Sequence, residues 1–174
     1  MILHGLNRGF IDSYQRLPII NSMDNQMVIF ELAGEFYGVN IAAVESIIKL
    51  QAITKMPRSP EFIEGIINLR GKTLAIVDLR KRFGLPSTDN GGSSRIIVVG
   101  VGDVEVGLIV DGVSEVLTVP QQAIQPTPAL TSTVDSAFIT AIAKIDQRLV
   151  ILLDLEKILS IREKENLTEL PLAA

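Results

Sequence analysis

Short apolar runs that end in turn residues recur along the chain. Residues 27–34 read MVIFELAG and residues 95–102 read RIIVVGVG, and each run leads into a glycine-acid pair, Gly34-Glu35 or Gly102-Asp103. Glycine at the first central position of a two-residue loop is typical of a type II′ turn. Both runs therefore predict the first strand of a hairpin, and one residue of slippage is needed to align the strands that follow.

A longer repeat follows the two hairpins. Residues 62–83 align without a gap to residues 138–159. Self-similarity that occurs twice over a long unit indicates a duplicated domain and not a solenoid of short repeats. The matched pairs include Phe62 with Phe138, Ile66 with Ile142, and Asp78 with Asp154.

Each copy predicts a hairpin, a loop, a second hairpin and a short helix. Gly71 provides the positive φ of a tight turn in the second hairpin, and Gly84 and Pro86 end the short helix. About five short strands per copy need closure or a partner sheet to bury their faces. We therefore expect a mainly β fold of two small barrels side by side, with a groove at their joint.

The repeat also sets the expected domain boundaries. Residues 1–26 are an N-terminal tail that we expect to be flexible, 27–86 the first β-barrel, 87–160 the second, and 161–174 a C-terminal tail. The polar, turn-rich stretch 86–94 is the expected linker. We expect the last helix to begin near Asp154 and to lie against a barrel surface, that of the first barrel being one option.

Composition excludes several classes of function. Hydrophobic residues make up 47% and aromatic residues 5%, so the core is aliphatic. The net charge is −4, which argues against nucleic acid and against an anionic membrane surface. The chain has no cysteine and one histidine, His4, which leaves no basis for a disulfide, a zinc site or a Ser-His-Asp triad. We expect no metal and no cofactor.

The location of the protein follows from what the sequence lacks. No stretch reaches the roughly 18 consecutive apolar residues that cross a bilayer, and the N-terminus lacks the charged start and apolar run of a signal peptide. We therefore expect a cytoplasmic protein without direct membrane insertion.

Two motifs suggest chemistry but have simpler readings. The glycines of residues 100–107 resemble a nucleotide loop, but an alternating strand pattern follows where a helix is required. Asp78 and Asp154 could be paired catalytic carboxylates. Each ends a strand before a helical turn, where aspartate is a favoured N-cap, and each belongs to a different copy of the repeat. We expect structural caps.

For the remaining candidates two interpretations stay open, a structural role and a binding interface. Ile41, Val44 and Ile47 fit a core, or the apolar rim of a binding groove, because Glu45 and Ser46 beside them are polar. Arg70 takes the first position of a hairpin loop, where Asn, Asp or Gly is usual. It is either a solvated side chain or a rigidly held five-donor guanidinium.

At residues 62–85 the sequence resembles the CheW family. It carries Phe62-Ile63-Glu64-Gly65, Asn68-Leu69-Arg70-Gly71 and Val77-Asp78-Leu79 at the spacing of that family, with Ala75 where many members have proline. The first strand with its FYGVNI continuation and the stretch EVGLIVDGVSEVLTVP also resemble the family. The resemblance covers roughly residues 27 to 160.

The resemblance implies two SH3-like five-stranded barrels with short helices and a non-enzymatic adaptor of chemotaxis signalling. Such an adaptor couples the cytoplasmic tips of chemoreceptors to the regulatory domain of the histidine kinase CheA, and is recruited to membrane receptor arrays. The resemblance also assigns five residues to a receptor-binding groove and leaves the kinase-contacting residues unknown. The five are Ile41, Val44, Leu69, Arg70 and Gly71.

Two other functions remain open at this point. One is a CheW-like adaptor of another chemosensory pathway, for example one that governs pilus motility. The other is a small enzyme built on carboxylates, which predicts a deep pocket with convergent polar groups around Asp78 or Asp154.

Overall fold

The computed structural model describes residues 25–125 and 136–168, and its secondary structure is mostly β, as predicted. Within these ranges the helices are α1 (Leu79–Arg82), α2 (Ile161–Thr168) and four short 3-10 helices. The strands are β1 (Gln26–Leu32), β2 (Glu35–Asn40), β3 (Val44–Lys49), β4 (Ile63–Leu69), β5 (Lys72–Asp78), β6 (Arg95–Val101), β7 (Val104–Val110), β8 (Gly112–Thr118), β9 (Ile124–Gln125), β10 (Ile139–Ile145) and β11 (Arg148–Leu153).

The strands form two sheets. The six-stranded sheet has the order β8-β1-β2-β11-β10-β9, and the five-stranded sheet has the order β3-β6-β7-β5-β4. Hairpin neighbours pair antiparallel, whereas β2 pairs parallel with β11, and β5 pairs parallel with β7. The two sheets therefore have the same plan, in which a hairpin is joined to the next hairpin by one parallel contact.

Each sheet combines strands from both halves of the chain. The hairpin β1–β2 lies with β8 to β11, and the hairpin β6–β7 lies with β3, β4 and β5. The duplicated units have thus exchanged their first hairpins. The predicted division into 27–86 and 87–160 does not coincide with the division into sheets, because each first hairpin finds its parallel partner in the other half.

The first turn differs from the one predicted. The β1–β2 turn is Ala33-Gly34, with φ of 51° and 81°, and not Gly34-Glu35. Positive φ at both central residues is the type I′ pattern, which suits the twist of a hairpin. Gly102, with φ of 61°, begins the β6–β7 turn as predicted. With the first turn placed at Ala33-Gly34, the first hairpins of the two copies align without the one-residue shift that the predicted turn required.

The alternation of side chains along the strands produces three apolar clusters. One face of β1 joins a cluster inside the six-stranded sheet, and one face of β6 joins a cluster inside the five-stranded sheet. The opposite faces of both strands enter the largest cluster, which lies between the sheets and includes Phe30, Val99 and Phe83. The joint between the two units is therefore filled by core side chains, where the sequence predicted a groove.

Strand pairing does not close either sheet in the part of the chain that the structure describes. Thr54, in the segment after β3, exchanges two backbone hydrogen bonds with Ile66 of β4 at 2.9 and 2.8 Å, at the same place in the repeat as the pairing of β9 with β10. Gly65 lies against this bridge with φ of 147°, and a Cβ there would lie 2.1 Å from the Thr54 carbonyl oxygen. The predicted five-stranded barrels thus correspond to sheets of five and six strands without paired closure.

The repeat is exact at the segments that precede the second hairpins. The carbonyl of Phe62 accepts a hydrogen bond from Asp78 N, and that of Phe138 accepts one from Asp154 N, both at 2.8 Å. The Arg82 guanidinium carbon lies 4.3 Å from the Phe62 ring centroid and 5.1 Å from that of Phe138. Equivalent rings from the two halves thus share one cation, although Phe138 is buried and Phe62 only half-buried.

The C-terminal part differs from its prediction. A 3-10 helix, Leu155–Lys157, follows Asp154, and the longer helix α2 begins later, within the predicted tail. Helix α2 lies beside β7 and close to the segment 56–66 of the first half. The predicted N-terminal tail lies outside the described residues up to residue 24. None of the helices in the described part of the chain is long and apolar enough to cross a membrane.

Candidate functional site

The β4–β5 turn holds Arg70 in a defined backbone conformation. Arg70 and Gly71 have φ of 54° and 83°, and Leu69 lies opposite Lys72 across the turn. The Asn68 side chain accepts a hydrogen bond from Gly71 N at 3.0 Å. A left-handed conformation is uncommon for arginine. The structure therefore confirms Arg70 at the first position of a two-residue hairpin loop, with its side chain exposed.

The Arg70 turn borders a small cavity at one end of the five-stranded sheet. The cavity has a volume of about 160 Å³, and every strand of the sheet or its turn contributes to it. Its buried lining residues are one polar and one apolar, and its exposed lining residues carry charges of both signs. Besides Arg70 it is lined by Glu45, Ser46, Leu69, Lys72, Val98 and Glu105. We call this cavity the Arg70 mouth.

Charged side chains of both signs face one another at the rim of the Arg70 mouth. Lys72 Nζ lies 3.9 Å from Glu105 Oε1, and both side chains are exposed, so this pair contributes little stability. Burial raises the pKa of Glu45, and the neighbouring Glu105 carboxylate raises it further. The rim of the Arg70 mouth therefore carries two carboxylates and two basic side chains close to one another.

The equivalent end of the six-stranded sheet carries an ion pair and a cation–ring contact. Arg148, the counterpart of Lys72, pairs with Glu115 and lies 4.7 Å above the ring of Phe36. Asp146 takes the place of Arg70, in a turn with the same positive φ. The two ends share a backbone plan but differ in the side chains that they carry.

Two of the five predicted groove residues lie in the core. Ile41, in a 3-10 helix that Asn40 caps, is 2% exposed, and Val44 is 7% exposed. Both belong to the cluster between the sheets and cannot form an apolar rim in this structure. Leu69 is half-buried, while Arg70 and Gly71 are exposed. The structure therefore brings Leu69, Arg70 and Gly71 together and places the other two beneath the surface.

The two candidate carboxylates are helix caps. Asp78 accepts hydrogen bonds from Arg80 N and Lys81 N, and Asp154 accepts one from Glu156 N at 3.0 Å. Burial raises the pKa of Asp78, whereas the two backbone donors lower it. Neither carboxylate lines the Arg70 mouth or the second cavity described below. No group of three His, Asp or Glu side chains in the described ranges is placed to hold a metal ion.

A second cavity and the role of Arg82 were not predictable from the sequence. The cavity, of about 220 Å³, lies between α2 and the segment 56–66. Arg82 Nε donates to the carbonyl of Ile158 at 2.7 Å, so it links the two halves. Three adjacent basic residues on a short helix are expected to be solvated. Only the equivalence of Phe62 and Phe138 in the repeat indicated a partner common to the two halves.

Comparison with known proteins gives a consistent result. Residues 26–163 match the family described as CheW-like domain. A "Probable chemotaxis protein CheW" of Rhizobium etli is 39% identical over 146 residues, which are 84% of this chain and 94% of that protein. A "Chemotaxis protein CheW" of Klebsiella aerogenes is 34% identical, with 82% of this chain and 86% of that protein covered.

A solved structure supports the same assignment. The scaffolding protein TtCheW from Thermoanaerobacter tengcongensis superposes with a TM-score of 0.75 at 43% sequence identity, covering 82% of this chain and 92% of that one. The superposition and the family match over residues 26–163 each cover most of the chain. The chain therefore belongs to the CheW-like family.

Proposed function

We propose that this protein is a non-enzymatic coupling adaptor that holds a CheA-type histidine kinase against the cytoplasmic tips of chemoreceptors. Its role in chemotaxis follows from the family and from relatives that are named chemotaxis and scaffolding proteins. The observation that carries the proposal is the Arg70 turn. An arginine that the turn does not need is exposed beside a cavity, in a hairpin loop with a defined backbone conformation.

The receptor contact centres on the exposed part of the predicted site. A receptor helix lies along β4 and places apolar side chains against half-buried Leu69. Arg70 donates to an acidic or amide group at the rim, which combines helix recognition with a charge-assisted hydrogen bond. Ile41 and Val44 act indirectly, because as core residues they fix the position of β3, which also lines the Arg70 mouth.

Recruitment of the kinase by receptors tests the proposal directly. Receptor cytoplasmic fragments assembled on vesicles are sedimented with the CheA-type kinase, with and without this protein. We expect the kinase to enter the pellet only when the protein is present. Equal amounts of kinase in the pellet with and without the protein contradict the adaptor role.

A further inference from the structure

A bulge in β3 brings two consecutive side chains to the Arg70 mouth. The pairing of β3 with β6 shifts register between Val44 and Ser46, so Glu45 has no partner residue on β6. Successive side chains of a regular strand point to opposite faces of a sheet, whereas a bulge re-aims a side chain. Glu45 and Ser46 both line the mouth. The bulge therefore places a carboxylate and a hydroxyl group in the same cavity.

A second carboxylate reaches this cavity from β7. Glu105 lies opposite Gly100 across the β6–β7 hairpin, and a Cβ at Gly100 would have open space around it. The carboxyl groups of Glu45 and Glu105 lie within hydrogen-bonding reach of each other. Two ionised carboxylates repel each other at such a separation. A proton or a cation between their oxygens relieves that repulsion.

The hydroxyl group of Ser46 is a third oxygen of the mouth. Ser46 is 8% exposed, and within residues 25–125 and 136–168 no group forms a hydrogen bond with its side chain. Burying a hydroxyl group without a hydrogen-bond partner costs free energy. A hydrogen-bond donor that enters the cavity removes this cost and also lies beside the two carboxylates.

The other copy of the repeat holds a cation at the equivalent position. Glu115 has the place on β8 that Ser46 has on β3, and Phe36 has the place on β2 that Glu105 has on β7. The Arg148 guanidinium group pairs with Glu115 and lies 4.7 Å from the centroid of the Phe36 ring. Only 28% of the Arg148 side chain is exposed. In that copy the chain fills the position with its own cationic group.

Lys72, the counterpart of Arg148, does not fill the Arg70 mouth. Its side chain is 75% exposed, and its Nζ lies 3.9 Å from Glu105 Oε1, which is beyond hydrogen-bond distance. The carboxylates of Glu45 and Glu105 and the hydroxyl group of Ser46 are therefore left with three acceptor groups around one cavity. A primary ammonium group has three donors, so its chemistry matches this set.

We propose that the Arg70 mouth binds a primary ammonium group, which donates hydrogen bonds to Glu45, Ser46 and Glu105. A lysine side chain of a partner chain carries this group, because half-buried Leu69 offers an apolar surface to the lysine stem. A divalent metal ion matches the site poorly, since it takes six or more oxygen ligands and the basic side chains at the rim repel it. The proposal concerns one functional group and is independent of the adaptor role.

Nα-acetyl-lysine methylamide, which carries one free ammonium group, is the probe for the first test. Its titration into the isotope-labelled full chain is followed by NMR. We expect a dissociation constant on the order of 1–10 mM, as for a few hydrogen bonds at an open site, with shifts centred on Glu45 and Glu105. The Nε-trimethylated probe keeps the charge but has no N–H donor, so it should bind about fivefold more weakly or less. Equal binding of the two probes, or no binding of either because the carboxyl pair only shares a proton, overturns the proposal.

Glu105→Gln tests the carboxylates, with Glu31→Gln as its matched control. The substitution at Glu105 removes one ionised acceptor and should weaken probe binding about fivefold or more. Glu31 is an exposed carboxylate on β1 of the other sheet, so its substitution should leave probe binding unchanged. Equal losses in the two variants show attraction to the net charge of the protein and overturn the site.

Ser46→Ala separates binding from a structural role. Removing a buried hydroxyl group that has no partner should leave the melting temperature unchanged or raise it. The same change should weaken probe binding about threefold or more, because one acceptor of the ammonium group is lost. A lowered melting temperature together with unchanged probe binding shows that Ser46 serves the fold, and overturns its part in the site.

Discussion

At the residue scale, backbone geometry distinguishes a glycine that the fold requires from one that it tolerates. Gly65 has φ of 147° and lies against the Thr54 backbone, at the bridge that ties the segment after β3 to β4. Gly100, also in a strand, has open space where a Cβ would stand. The first position combines an unfavourable conformation with a clash against backbone atoms, which cannot move aside as a flexible side chain can.

Gly65→Ala is therefore expected to lower the free energy of unfolding by about 2–4 kcal/mol, from backbone strain and overpacking together. Gly100→Ala, the control, is expected to change it by less than about 1 kcal/mol. Urea unfolding of both variants measures the difference. Equal effects of the two substitutions would contradict the close approach at Thr54.

The position of Arg70 was predictable from the sequence, whereas the burial of Ile41 and Val44 was not. Its place in the turn follows from the glycine after it and from the repeat. Ile41 and Val44 could not be placed in the same way, because an apolar residue beside polar neighbours has the same sequence pattern in a core and at a groove rim. Only the packing of the second sheet decides between them.

At the scale of elements, charged side chains connect the turns and short helices that lie between the strands. Asp111 follows β7 and accepts hydrogen bonds from Arg80 Nε at 2.9 Å and from Ala33 N at 2.8 Å. It thereby joins α1 to the β1–β2 turn. In the other copy Glu156 binds Gly102 N at 3.0 Å. The equivalent turns of the two copies are thus hydrogen-bonded by different residues, a difference that the alignment of the repeat did not predict.

The Asp111 contact predicts a pH-dependent contribution to stability. Burial opposes ionisation of Asp111, but the Arg80 side chain and the Ala33 N–H outweigh it and lower the pKa. A depressed folded-state pKa stabilises above the unfolded value of about 3.9 and loses that effect as the pH falls through the folded value. Asp111→Asn should thus cost about 1–3 kcal/mol at neutral pH and less in acid.

Urea unfolding at pH 7 and pH 3 checks this expectation. Asp103→Asn, at an exposed turn position, is the control and should change stability by no more than about 0.5 kcal/mol at either pH. A loss for Asp111→Asn of the same size at both pH values would show that its charge is not the source of the stabilisation.

At the scale of the whole molecule, the exchange of hairpins binds the two halves into one folding unit. Strands, turns and caps were predictable because each depends on local pattern, as at Gly71 and Asp78. The exchange was not predictable, because two copies of one unit offer similar strand edges and the sequence does not say which copy pairs with which. The clamp of Arg82 between Phe62 and Phe138 arises only from that arrangement.

The exchange predicts that neither half folds alone. A chain split between Asn90 and Gly91, in the exposed connection from α1 to β6, separates β2 from β11 and β7 from β5. We expect each fragment by itself to unfold without cooperativity, and the mixture to recover a cooperative transition and strand-type circular dichroism. Two fragments that each unfold cooperatively would contradict the exchanged arrangement.

The most direct test of the adaptor account compares Arg70→Ala with Asp146→Ala, its counterpart in the equivalent turn of the other sheet. Each variant is titrated against a receptor fragment and against the regulatory domain of the kinase. We expect Arg70→Ala to weaken receptor binding by about 1–3 kcal/mol, with a smaller change in kinase binding and an unchanged melting temperature. Asp146→Ala should leave receptor binding unchanged. Equal losses toward both partners, or a collapsed melting temperature, would show that Arg70 is structural.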